Sequence, residues 1–181
     1  MYLRASQYVS GYEFQPDDRR ALYQSLVEQM GVAAFVDPGT PSGSVEFVVA
    51  YWRKANQIHQ WFVENVQGGE DECKPHYVNR EQLGDLRQLC LRVLAVAETE
   101  TGKESVSVLG LEGRITEEEQ ETRRITNPAA VEEELPTAAG FFFGSTEYDE
   151  WYLRDIEDTV KMLDRALSMP DEWEFEYQSS W

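Results

Sequence analysis

The chain is short of the residue types on which reactions are usually built. Only two histidines and two cysteines occur in 181 residues. Cys73 and Cys90 are too few for a disulfide framework and point to a reducing cytoplasm. No apolar run approaches the ~20 residues of a membrane-spanning helix. The opening MYLRASQYVSGYEF has no apolar core of the signal-peptide kind. Neither G-x-x-x-x-G-K-[ST] nor G-x-G-x-x-G is present, which removes the two common phosphate-binding loops. The calcium loop D-x-[DN]-x-[DN]-G is also missing. Ser145 follows Gly144, but FGSTE lacks the second glycine of a nucleophile elbow.

Basic residues are scarce as well. Sixteen lysines and arginines face 34 acids, giving a formal charge of -18. Such a surface repels nucleic acid and favours solubility. It suits a basic partner whose groove expects phosphate. The excess is uneven: residues 1–97 carry 12 acids and 9 bases, residues 98–181 carry 22 and 7. An asymmetry of that size marks either one electrostatic face or a solvated segment.

What is present is apolar periodicity. Tyr2 to Phe14 reads as a short strand or irregular segment. Pro16 and Asp17 open a helix that Gly31 closes, with Leu22, Leu26 and Met30 on one face. Residues 36–44 form a loop by their Pro, Gly and Ser content. In VEFVVAYWRKANQIHQWFVENVQGG, Val48, Tyr51, Ala55, Ile58, Phe62 and Val66 recur at helical spacing, which predicts one long helix ending at Gly68 and Gly69. Trp52, Asn56, His59 and Val63 form a second stripe on it, leaving Arg53, Gln57, Gln60 and Glu64 outward. Residues 69–78 read as a loop. Asn79 caps a third helix with the stripe Leu83, Leu86, Cys90, Val93 and Ala97. SVSVLGLEGRIT predicts a short hairpin turning at Gly110 and Gly113, and 117–124 a solvent-facing charged segment. Asn127 and Pro128 start a short helix that Pro136 stops.

The last long helix follows LPTAAGFFFGST. Ser145 or Thr146 can cap it, and Tyr148, Tyr152, Ile156, Val160, Leu163 and Leu167 form its stripe. EWEFEYQ alternates like a half-buried strand. These readings sum to an α+β protein, a mainly helical single domain over 1–181 with a small β-hairpin or strand element. Residues 99–127 are a possible hairpin or charged insertion.

Candidate chemistry is thin. Cys73 and His76 have a spacing that zinc accepts, but Cys90 sits on a core stripe and His59 beside one, so no metal site or cofactor is expected. Carboxylates are too numerous for a general acid to be singled out, and no catalytic residue is assigned. Two readings remain for Trp52, Asn56 and His59 with Phe143, Gly144, Ser145 and Thr146. They line a small polar pocket between a helix flank and a helix entrance, or Asn56 and His59 satisfy backbone groups of the Gly-bracketed aromatic turn. Exposed aromatics beside acids, Trp151 above all, suit a protein interface.

Two of these motifs carry a resemblance. YWRKANQIHQWFVENVQGG at 51–69 and LPTAAGFFFGSTEYDEWY at 135–152, with Cys73 and VNREQL at 78–83, resemble a family of small acidic proteins of tailed bacteriophages. The likeness spans roughly residues 48–165. The first 45 residues and 99–130 do not follow it clearly. It implies a phage origin and action in the host bacterial cytoplasm, and carries over no activity.

Charge and resemblance together lead to an acidic host-interaction protein that blocks a nucleic-acid-dependent bacterial defence, as an anti-CRISPR-like inhibitor or nucleic-acid mimic. Its partner is a basic host protein such as a nuclease, with no direct contact to nucleic acid or membrane. The expected partner-binding acids are Glu117, Glu118, Glu119, Glu132, Glu133, Glu134, Asp149, Glu150, Glu157 and Asp158, with Trp151 among them. The alternatives are a small-molecule or nucleotide-binding protein or enzyme using the pocket near His59, and a virion accessory protein.

Overall fold

The computed structural model describes residues 1–109, 115–139 and 145–180, with the backbone alone over 104–109, 115–118 and 120. Among the described residues the chain forms six strands and five helices. The expectation of a mainly helical domain is therefore wrong: two antiparallel sheets, one of four strands and one of two, make this an α+β fold with a substantial β part.

The four-stranded sheet has the order β2-β1-β6-β3, from β1 (Tyr2–Ser10), β2 (Ser42–Tyr51), β3 (His76–Val78) and β6 (Glu174–Gln178). Both chain ends meet here, because β1 lies between β2 and β6. Leu3, Ala5, Ala50, Val78, Phe175 and Tyr177 are buried from this sheet. They join one core with the apolar stripes of α2 (Asn56–Asn65), α3 (Arg80–Val96) and α5 (Glu150–Leu167).

The largest revision concerns residues 45–66. The predicted single helix is a ten-residue strand, β2, followed by the ten-residue α2. Val45, Phe47, Val48, Val49 and Tyr51 are β-branched or aromatic, and pairing with β1 gives that preference its value. A short apolar run satisfies both periods, so the match of Val48 and Tyr51 to helical spacing was accidental. The two elements are separated by Lys54, at φ 64, which no regular helix tolerates. Gln57, placed outward by the helical reading, is 2% exposed.

Elsewhere the sequence is read more closely. Asn79 forms a full capping box with Gln82, and Leu83, Leu86, Cys90 and Val93 of α3 are buried. Tyr152, Ile156 and Leu163 are buried on α5, along with Leu153, Thr159 and Ala166. The cap of α5 is Asp149, which accepts from the amides of Trp151 and Tyr152, and not Ser145 or Thr146. In α1 (Asp17–Gln29) the buried residue is Tyr23, against Gly11, while Leu22 and Met30 are exposed. The loop expected at 69–78 ends in strand β3.

The second sheet is a ribbon of two eleven-residue strands, β4 (Thr99–Leu109) and β5 (Ile115–Ile125), in continuous register from Thr99–Ile125 to Leu109–Ile115. It takes in the segment 117–124 that was expected to be merely charged and solvated. Gly110 and Gly113, the expected turn residues, lie outside the described residues. At its base, Asn127 accepts from the Glu98 amide and donates to the Val96 carbonyl, so its side chain closes the ribbon and does not cap α4 (Pro128–Glu134). Arg123 grips Glu157 of α5 through both terminal nitrogens, at 2.7 and 3.2 Å.

Candidate functional site

A groove runs where the end of β2 and the start of α2 face α5. On α5, Trp151, Arg154, Asp158, Lys161 and Arg165 recur at spacings of 3 and 4, which sets them in one stripe about 21 Å long. Tyr51, Trp52 and Arg53 form the opposite wall of its wider part, of about 510 Å³. A narrower part of about 190 Å³ continues past Lys54, Asn56 and Gln57 to Ser145 and Glu147. Arg53, Trp151 and Asp155 line both parts.

The two walls are joined by hydrogen bonds that the local sequence supplies. Trp52 is 3% exposed, and its indole N–H donates to Thr159 Oγ at 2.8 Å. Thr159 in turn donates to the Asp155 carbonyl, one helical turn back. Deeper in, Gln57 Nε2 donates to Asp155 Oδ2 at 3.4 Å. Lys54 holds its left-handed backbone at the mouth of this site, where non-glycine strain of ~1–3 kcal/mol is typically tolerated for function.

The pKa of Asp155, which lines both parts of the groove, is raised from 3.8 to about 6. Burial is the main cause; Asp158 and Asp149 add to it, and Gln57 and Arg154 oppose it. The folded state therefore holds this proton more tightly than the unfolded chain. Stability falls as pH rises from about 4 to about 6, and the penalty is fully present above that window. Asp155→Asn removes it. We expect the variant to be more stable than the parent by about 1–2 kcal/mol at pH 7, after discounting for partial solvent access, with the difference vanishing below about pH 4. Urea titrations at both pH values check this; an equal gain at pH 4 would refute the electrostatic account. A carboxylate kept at a cost to stability inside a cleft is the kind of group that binding sites retain.

The residues expected to share a pocket are only partly brought together. Trp52, Asn56 and Ser145 do line the groove. Asn56 is 1% exposed; its Oδ1 accepts from the Ala138 amide at 2.9 Å and its Nδ2 donates to the Ser145 carbonyl at 3.0 Å. It thus ties both Ala138 and Ser145 to α2. Phe143 and Gly144 lie outside the described residues. The Thr146 carbonyl accepts from Thr137 Oγ at 3.0 Å. His59 belongs elsewhere: buried at 1%, it meets the Tyr177 hydroxyl through Nδ1 at 2.7 Å and Asp71 through Nε2 at 3.1 Å.

Comparison with family models, with curated proteins and with solved structures gives no match. The chemistry of the site therefore has to be read from its own residues.

The acids expected at a partner surface divide in two. Glu134 pairs with Arg92, Asp158 with Lys161, and Asp149 is a helix cap. Glu150 accepts from the Arg123 amide at 3.2 Å. The Arg123 guanidinium holds the Glu157 carboxyl below the usual carboxylate range. These five are largely spent inside the molecule. Glu132 and Glu133 are exposed on α4, and Glu117, Glu118 and Glu119 lie on β5, where Glu119 bonds Lys103 at 3.3 Å between two exposed side chains. Trp151 is 67% exposed on the groove rim.

Burial pushes the Cys90 thiol up to about 12, so it stays a neutral core group. Among the described residues, no three or more His, Cys, Asp and Glu side chains are arranged to hold a metal. No helix among them is long and apolar enough to cross a membrane.

Sequence reasoning passed over Arg53, Lys54, Gln57, Asp155 and Arg165. The available signal was the W-R-K run after a β-rich stretch, and an aspartate sitting between the stripe residues Tyr152 and Ile156. Neither has meaning until β2 and α5 are set side by side.

Proposed function

We propose that this chain acts by binding and not by catalysis, as a phage-encoded acidic protein that occupies the basic surface of a nucleic-acid-dependent host defence protein in the host cytoplasm. The observation that carries this reading is the β4–β5 ribbon. It is about 35 Å long at 3.3 Å per residue. Positions 117, 119 and 121 of β5 are all glutamate and fall on one face of the strand, about 6.7 Å apart. That interval is close to twice the 3.4 Å axial rise per phosphate of one DNA strand. Two further exposed glutamates, Glu132 and Glu133, follow on α4. A basic groove built for phosphate meets a comparable row of charge here.

The test is competition. A captured host protein should leave the immobilised chain between about 50 mM and about 500 mM NaCl, since screening shortens the reach of exposed charges from ~13 Å to ~4 Å. It should also be displaced by duplex DNA, and fail to bind the variant with Glu117, Glu119 and Glu121 replaced by Gln. Capture indifferent to salt and to these substitutions refutes the reading.

A second reading is favoured by a separate observation, the groove with its strained Lys54 and perturbed Asp155. On that reading the chain binds a small ligand between β2 and α5. The two are compatible, because ribbon and groove use different residues.

A further inference from the structure

The basic residues of this acidic chain are not spread at random over its ion pairs. Most are matched: Arg4 with Glu46, Arg87 with Asp164, Arg92 with Glu134 and Arg123 with Glu157, for example. Among the described residues, Arg19, Arg53, Lys54, Arg124 and Arg165 make no salt bridge. Three of these five, Arg53, Lys54 and Arg165, line the groove and are exposed: Arg53 and Lys54 in its narrower part, which Glu147, Asp149 and Asp155 also line, and Arg165 at the far end of its wider part. With more than two acids for every base, unpaired cations should be rare and scattered. Arg53 and Lys54, adjacent in the chain and neither in a salt bridge, offer an anion two cations at one place on a concave surface. Arginine in particular offers a planar fork that fits phosphate in a bidentate way.

The groove also has an aromatic platform. Trp151 is 67% exposed, and the Arg154 guanidinium lies 5.8 Å from its ring centre, covering one side of it. Tyr51, half exposed, stands on the opposite wall. An exposed indole at a cleft mouth is a stacking surface for any planar ring, worth ~1–3 kcal/mol for a nucleobase. The wider part alone, at about 510 Å³, is within the ~300–1,000 Å³ range of small-molecule sites.

Size and charge together select the ligand. A long polyanion would run beyond the groove into a surface of net charge -18 and be repelled. A small anion feels only the nearby groups, because charges beyond ~8 Å are screened at physiological salt; these include Glu147, Asp149 and Asp155, so Arg53 and Lys54 must contact it directly. We propose that the groove binds a free nucleotide, its base flat on Trp151 and its phosphate held by Arg53 and Lys54, with Arg165 at the far end. This inference rests on the small-ligand reading given above.

The probe is adenosine monophosphate, titrated calorimetrically into the full chain, with adenosine, inorganic phosphate and a thymidine hexanucleotide as separate arms. Adenosine monophosphate is expected to bind at least about tenfold more tightly than adenosine or phosphate alone, and more tightly than the hexanucleotide. Trp151→Leu and Arg53→Gln should each weaken it about tenfold or more. Both side chains are exposed, so folding is preserved, and thermal melting verifies that. Arg124→Gln, which removes an unpaired cation away from the groove, should leave affinity unchanged. An equal loss in Arg124→Gln overturns the proposal, because the effect would then be bulk charge. Tighter binding of the hexanucleotide overturns it in favour of a single-strand site. Phosphate binding as tightly as the nucleotide overturns the nucleotide inference and leaves the small-ligand reading standing. No binding in any arm removes both.

Discussion

Replacing Tyr177 by alanine is expected to destabilise the protein by about 3–5 kcal/mol, the largest single effect we foresee. Tyr177 is fully buried in β6, and its ring stacks on Phe62 of α2 with centroids 3.8 Å apart and planes 6° from parallel. Trp52 packs against it at 6.4 Å. Its removal leaves a cavity bounded by a sheet and a helix, neither of which can collapse freely. The hydroxyl adds a separate contribution. It hydrogen-bonds His59 Nδ1 at 2.7 Å, while the other ring nitrogen faces Asp71, so a loop carboxylate, a helix imidazole and a strand phenol form one chain. Burial, then Asp71, raises the pKa of Tyr177 above its ordinary value, so the phenol stays protonated. Tyr177→Phe keeps the stacking and strips the hydrogen bond, and should cost about 1–3 kcal/mol. Urea denaturation of both variants separates the two contributions. A phenylalanine variant as unstable as the alanine variant would mean that the hydrogen-bonded chain, and not the packing, holds α2 to β6.

Asn56→Ala is the second large effect. Its amide is the only side chain among the described residues that bonds both Ala138 and Ser145. Alanine removes both part-buried hydrogen bonds, to the Ala138 N–H and the Ser145 carbonyl, for about 1–3 kcal/mol in total. The loss is local before it is global: the backbone at Ala138 and at Ser145 loses its tether to α2, and cleavage at these two places should become preferred in limited proteolysis. Asn56→Asp keeps the acceptor for Ala138 but turns a carboxylate oxygen toward the Ser145 carbonyl. It should be at least as damaging at pH 7. Proteolysis followed by mass mapping decides the matter; cleavage unchanged at Ala138 and Ser145 would show that these residues are held by other contacts. Asn56 serves the backbone at Ala138 and Ser145, whereas His59 serves a different part of the fold; the bracketed residues 140–144 lie outside the described residues.

Several elements were legible in the sequence because a local rule and the tertiary environment agree on them. The α3 stripe from Leu83 to Val93 and its Asn79 cap need only helical spacing and a side chain that reaches an amide. The burial of Tyr152, Ile156 and Leu163 on α5 and of Phe175 and Tyr177 on β6 follows from periods of 3.6 and 2. Errors arose where local rules are degenerate. Residues 45–51 fit both periods, and pairing with β1, more than 30 residues away, chose the strand. Several hydroxyls and carboxylates before α5 can cap it, and the packing of the helix start chose Asp149. In α1 the apolar residues are too few to define a face, so contact with Gly11 selected Tyr23 over Leu22.

The site shows the same division. By itself the sequence determined the charge: an acid excess, concentrated after residue 98, is a property of composition that no fold can alter. It also determined that Trp151 is an aromatic among acids. Only the tertiary structure decided which acids are spent, because an ion pair such as Arg123–Glu157 joins residues 34 positions apart. It alone decided that Arg53 and Lys54 meet Trp151 and Asp155 of α5 in one groove, and that Asp155 is desolvated enough to hold a proton up to about pH 6. Charge is additive along a chain, whereas a binding surface is a matter of distance, and distances between remote residues are set only when β2 and α5 pack.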